Sequence, residues 1–252
     1  MTSNPTKTQP KTVVITGASS GIGLGVAEAY LQRGDNVVLN ARNETRLAEV
    51  AERLGHADRV AVVAGDIGEQ DTRRRLIETA VERFGGVDVL VNSAGHFYPK
   101  PFADYTEADL DGFLAAHLKG SFFTTQEAVR QMRSNGGGAI INITTVLAQR
   151  GVAAIPASAP IGAKSGVNGI TTSLAIELAP DNIRVNAVAP GIIKTPIHGR
   201  TDEQFEALNG MQPLGHVGEV GDVVDAVLYL ADADFVTGVI LPVDGGVHAG
   251  GQ

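Results

Sequence analysis

At 252 residues, 43% of them hydrophobic and 19% charged, the chain carries enough apolar surface for one full core and has neither a disordered nor a membrane-embedded composition. A net charge of −8 argues against a nucleic-acid backbone as partner, because holding phosphates in number needs a basic face. The absence of cysteine excludes disulfides, thiolate nucleophiles and cysteine-bound zinc; with a polar Met1–Lys11 lacking an apolar signal core, and no run long enough to span a bilayer, the expected location is cytoplasmic.

The first predicted element is the strand Val13–Thr16, which runs into Thr16-Gly17-Ala18-Ser19-Ser20-Gly21-Ile22-Gly23 and the helix Gly21–Arg33. Glycines at such a turn let backbone N–H groups approach a pyrophosphate closely, and the helix N-terminus adds partial positive charge. Gly17, Ser19, Ser20, Gly21, Ile22 and Gly23 are therefore candidate cofactor-binding residues. The second strand, Val37–Asn40, ends in Asn40-Ala41-Arg42. A carboxylate there would accept bonds from the ribose hydroxyls of NAD. None is present, and the Arg42 guanidinium suits the 2′-phosphate of NADP, so NADP is expected, with NAD as the alternative.

Further along, helical spacing over Glu44–Leu54 and Thr72–Phe84 alternates with strands over Val60–Ala64 and Val87–Val91. A long helix, Glu107–Arg133, is opened by the capping pair Thr106 and Asp109 and stopped by Gly136-Gly137-Gly138. The strands Ala139–Ile143, Val185–Val188 and Val239–Val243 alternate with the helices Ile161–Leu178 and Val220–Leu230. This alternation predicts an α/β fold: a Rossmann-type, doubly wound, mostly parallel sheet of about seven strands with helices on both faces. Residues 1–11 form a flexible tail and residues 12–252 one dinucleotide-binding domain; the irregular, glycine-rich stretch around 194–219 is a candidate substrate lid.

The spacing TGxxxGxG, together with matches that follow in order over nearly the whole chain, resembles the short-chain dehydrogenase/reductase family. Asp66-Ile67 resembles its acidic-apolar pair beside the adenine, and Asn92-Ser93-Ala94-Gly95 its NNAG motif. Arg184-Val185-Asn186-Ala187-Val188-Ala189-Pro190-Gly191, with Ile193 and Thr195 after it, resembles the strand and loop that hold the nicotinamide carboxamide. The resemblance implies that Asp66, Ile67, Asn92, Ala94, Gly95, Lys164, Pro190, Gly191, Ile193 and Thr195 join the cofactor site, Asn92 mainly as a brace of the sheet. Val243-Asp244-Gly245-Gly246 and the two long helices resemble the family's subunit contacts, which implies a homo-oligomer, a dimer or a homotetramer.

In the family a serine, a tyrosine and a lysine act with a helix asparagine, the lysine ammonium easing ionisation of the phenol so that it exchanges a proton with the substrate oxygen. Lys164 matches the lysine. Four residues earlier stands Pro160, which has no titratable group; Ser158 is expected to cap the helix that it opens. Thr145 stands for the serine and His117 for the asparagine, so Lys164, Thr145 and His117 are the candidate catalytic residues. The connection from Thr145 to Lys164 is about two residues longer than in the family. His96 and Tyr98, directly after Gly95, join His117 as candidates for the missing acid/base.

Two functions are compatible with these features: an oxidoreductase moving hydride between NADP(H) and a small carbonyl or alcohol substrate, and a non-catalytic NADP(H)-binding sensor or inactive partner subunit. The sequence contains no HExxH zinc pattern, P-loop or GxSxG elbow, and neither a metal nor a nucleic-acid or membrane partner is expected.

Overall fold

The computed structural model describes residues 9–152, 155–196 and 199–250. Seven strands, β1 (Thr12–Thr16), β2 (Asn36–Ala41), β3 (Val60–Ala64), β4 (Val89–Asn92), β5 (Gly138–Ile143), β6 (Ile183–Pro190) and β7 (Ile240–Val243), form one sheet in the order β3-β2-β1-β4-β5-β6-β7. All six neighbouring pairs are parallel. The strands are Val-, Ile- and Ala-rich because both faces are covered. Val13 and Ile15 pack with the helices α1 (Gly21–Gln32), α2 (Glu44–Leu54) and α8 (Val220–Asp232); Val14 between them packs on the opposite face with α3 (Gln70–Phe84), α5 (Gly120–Ser134) and α6 (Ser158–Glu177). Each such large aliphatic side chain, fully buried, contributes about 1.5–3 kcal/mol.

The long helix expected over Glu107–Arg133 exists, but it is not uniform. It runs as α4 (Glu107–Phe113), a π-turn over Leu114–Lys119, and α5. Its start carries the expected reciprocal cap: the Thr106 hydroxyl accepts from Asp109 N, and the Asp109 carboxylate accepts from Thr106 N at 2.8 Å. Two other expectations need correction. The helix α6 begins at Ser158, not Ile161, and Ser158 does not cap it; the cap position is Ala157, without a side-chain bond. The stretch 194–219 is less irregular than its glycines suggest, since it holds α7 (Asp202–Glu206) and a 3₁₀ turn at Asn209–Met211. Its two ends are tied by the parallel bridge Ile193↔Gly218, with Lys194 N donating to Gly218 O at 2.8 Å. A last short helix, α9, spans Val247–Gly250. No described helix is long and apolar enough to cross a membrane.

What the topology does for function is local. From β1 the chain moves outward to β2 and β3, then returns to place β4 on the other side of β1. Loops leaving the carboxyl ends of β1 and β4 therefore diverge, and a crevice opens between them.

Candidate active site

The turn after β1 is shaped by glycine where no other residue fits. Gly17 has φ +69°, and a Cβ on it would lie 2.8 Å from Ala94 Cα; Gly21 has φ +55° at the first residue of α1. The loops after β1 and β4 are pinned together by one hydroxyl: Thr16 Oγ1 accepts from both Ser93 N and Ala94 N at 3.0 Å. Gly23 serves packing instead, since a Cβ there would meet Gly17 O at 2.5 Å.

Along this carboxyl edge runs a cavity of about 800 Å³. Gly17, Ser19, Ser20, Gly21 and Ile22 line it from the first turn, Arg42 from the end of β2, and Asp66 and Ile67 from the end of β3. Ala94, Gly95 and His96 line it after β4, Thr145 after β5, Pro190, Gly191, Ile193 and Thr195 after β6, and Lys164 and His117 from their helices. Nearly every residue expected at the cofactor site is thus brought to one cavity. Gly23 and Asn92 are the exceptions. Asn92 is buried in the sheet, where its Nδ2 donates to Asn142 Oδ1 (2.9 Å) and Thr125 Oγ1 (3.1 Å). Asn142 passes the chain on, donating to Thr171 Oγ1 at 2.9 Å.

Sequence reasoning missed Arg46. It projects from the first turn of α2 into the same cavity end as Arg42, and both side chains are exposed and without an ion pair among the described residues. Spacing carried no signal for it: Arg42 precedes the cap residue Asn43 and lies outside α2, so only the fold brings the two guanidinium groups to one cavity. The end of β2 carries no carboxylate: Asn40 turns its amide inward, donating to Val63 O at 3.0 Å and Gly65 O at 3.1 Å.

At the other end of the cavity stands Lys164. Lys164 Nζ donates to Thr144 O at 2.8 Å, which brings α6 onto the end of β5 despite the longer intervening loop. Burial lowers the Lys164 ammonium to about 8. Thr145 exposes its hydroxyl to the cavity beside it, apart from a weak bond from Leu147 N at 3.4 Å. Pro160 is buried in the first turn of α6 and does not line the cavity.

The three acid/base candidates separate. Tyr98 is exposed, outside the cavity lining, and its phenol donates to Asp109 Oδ1 at 2.9 Å. Burial first, and then that carboxylate, push the phenol upward, away from neutrality. His117 lies in the π-turn, 4% exposed, with Nε2 donating to His96 O at 2.9 Å. That bond leaves Nδ1 as the bare nitrogen. Desolvation, reinforced by the charge of Lys164, lowers His117 to about 3, so it is neutral at every working pH. His96 is half-buried, stacked on Phe113 at 4.6 Å and facing His117 at 5.6 Å. Its ring nitrogens have no hydrogen-bond partner among the described residues, and burial, then the charge of Arg42, hold its pKa below the ordinary 6.5.

The chain matches the family model described as enoyl-(acyl carrier protein) reductase over residues 17–248. It is 36% identical over 247 residues to glucose 1-dehydrogenase of Gluconobacter oxydans (strain 621H), covering 94% of this chain and 91% of that one. It is 35% identical over 242 residues to the 3-oxoacyl-(acyl-carrier-protein) reductase of Thermotoga maritima, covering 94% and 97%. Among solved structures, a protein described as a putative short-chain alcohol dehydrogenase, from Sinorhizobium meliloti 1021, superposes with a TM-score of 0.86 at 34% identity, covering 95% of this chain and 96% of that one.

Proposed function

The chain belongs to the short-chain dehydrogenase/reductase family of oxidoreductases, and from that premise we propose that it moves hydride between NADP(H) and a carbonyl or alcohol substrate. The observation that carries this reading is the single cavity that starts at Arg42 and Arg46 and reaches Thr145, Lys164 and His96. The residues fit a nicotinamide dinucleotide. The backbone turn at Gly17–Gly21 offers N–H groups at a helix N-terminus to a diphosphate, and the approach is open because glycine has no Cβ. Two guanidinium groups without an ion pair among the described residues, and no carboxylate at the end of β2, favour the extra phosphate of NADP.

When bound, the nicotinamide supplies or accepts the hydride. What the chain itself must do is hold the substrate oxygen and move a proton. Thr145 Oγ donates a hydrogen bond to that oxygen, and the Lys164 ammonium, held by Thr144 O, keeps positive charge at this end of the cavity. His96 exchanges the proton. In carbonyl reduction its imidazolium gives a proton to the oxygen as hydride reaches the carbon; in alcohol oxidation the neutral ring takes that proton back. His117 positions it by gripping the His96 carbonyl. Pro160, where the family has its tyrosine, takes no part.

The stretch 194–219 serves as the substrate lid: its two ends meet at one isolated bridge, and it contributes Pro196, Arg200, Leu208 and Met211 to the cavity wall. The chain associates into a homo-oligomer, a dimer or tetramer; exposed Phe122 and Phe123 on α5 and Ile176 on α6 support this.

The test is titration of the purified chain with NADPH and NADH by fluorescence, then NADPH consumption over a panel of aldehydes and ketones. Tight NADPH binding with turnover of some member is expected. Binding without any turnover, restored only in Pro160→Tyr, would overturn the catalytic reading in favour of a sensor.

A further inference from the structure

Gln212 follows the 3₁₀ turn Asn209–Met211 at the far end of the covering stretch. Its backbone is satisfied, N–H donating to Asn209 O at 3.1 Å and C=O accepting from Gly215 N at 2.8 Å. Its side chain is not. The residue is 4% exposed and lines the cavity; its carboxamide has no hydrogen-bond partner among the described residues and is not sealed in the core, so the amide meets the cavity's contents. The Gln212 amide lies over the loop after β6: a Cβ on Gly191 would come 3.0 Å from Gln212 Oε1. The same cavity also carries apolar wall residues, Val146, Leu147, Ile155, Leu208, Met211 and Val247.

Buried polar groups without partners are rare, because desolvating an amide with nothing in exchange is costly. An apolar ligand filling this cavity would strip the Gln212 amide of water and return nothing. A ligand with a hydroxyl or amide at that place would repair it. We infer that Gln212 is a specificity-determining residue, whose carboxamide selects carbonyl substrates that are mainly apolar and carry one hydroxyl or amide-like group where they pass the loop after β6. This deepens the hydride-transfer reading and rests on it for the location of the carbonyl.

The experiment reads binding, so it does not depend on turnover. NADPH is titrated first: if it fails to bind, the functional reading falls, and the probes below are then run on the cofactor-free chain. The probes are hexan-2-one and its 1-, 3-, 4- and 5-hydroxy derivatives, titrated calorimetrically into the full chain and into Gln212→Met, a swap of similar volume. Thermal unfolding and NADPH affinity report that the variant is folded. In the unmodified chain at least one hydroxy derivative is expected to bind roughly tenfold tighter than hexan-2-one, the gain of one good hydrogen bond. In Gln212→Met the preference shrinks below about threefold. The inference is overturned if no hydroxy derivative gains over the parent ketone, if no probe binds at all, or if the preference survives in Gln212→Met.

Discussion

Arg42, just after β2, and Arg46, in the first turn of α2, line the same cavity, and neither is committed to a carboxylate among the described residues. Charge-assisted bonds to a phosphate contribute about 1.5–3 kcal/mol each, and this sets the scale of their effect. Arg42→Ala is expected to raise the NADPH dissociation constant by about tenfold or more while moving that of NADH less than about threefold. Equal losses for both nucleotides, in the same fluorescence titration, would remove Arg42 from the role of phosphate reader. The proton path gives a second prediction at this scale. His96 titrates below 6.5 and Lys164 near 8 in the free chain, and kcat/KM reports free-chain groups. Carbonyl reduction needs the imidazolium, so its kcat/KM increases as pH falls through the His96 value. Alcohol oxidation needs the neutral ring, increases in the opposite direction, and declines again above about 8 as Lys164 loses its proton. In His96→Gln the acidic limb vanishes and kcat drops at least about a hundredfold, with NADPH affinity unchanged. A retained limb would move the proton transfer elsewhere.

Between elements, the relevant unit is the polar chain that crosses the molecule from α5 through β4 and β5 to α6. Thr125, Asn92, Asn142 and Thr171 follow one another at 2.9–3.1 Å, all buried. Replacing Asn92 with Leu orphans Asn142 Oδ1 and Thr125 Oγ1 together, so a loss of about 2–3 kcal/mol is expected, readable as a lower urea midpoint. A shift of a few tenths of a kcal/mol would mean that water repairs the gap.

The strands were legible in the sequence because burial on both faces writes a run of Val, Ile and Ala, and Val60–Ala64 and Glu44–Leu54 come out with the same ends in both. The π-turn was not. Leu114–Lys119 keeps ordinary helical composition, and only the tertiary position of His117 under Gly95 shows why the helix widens there: a Cβ on Gly95 would meet the ring at 2.1 Å. Ser158 misled for a related reason, since its place one residue inside the helix depends on where the preceding loop lands. The cofactor end was legible as motif order. The proton-moving end was not, because His96, Tyr98 and His117 differ in packing and not in spacing.

For the molecule as a whole, the cavity is lined from the carboxyl ends of six of the seven strands and from the helices that carry His117 and Lys164, so occupancy ought to stabilise the entire fold. At a free NADPH concentration a hundred times its dissociation constant, the linkage amounts to about 2.7 kcal/mol, or a rise of roughly 5–10 °C in the unfolding midpoint for a chain of this size. NADH at equal concentration should raise it less. Identical shifts would argue that the fold does not distinguish the two nucleotides.

Thr16 has a consequence of its own. Its oxygen is the common acceptor for two amides of the neighbouring loop, which makes it the gauge that sets the spacing between the loops after β1 and β4. Thr16→Val keeps the shape of the strand and deletes that gauge. The expected protein folds with its sheet intact and yet loses nucleotide affinity several-fold, a case in which an aperture is slackened without touching any ligand.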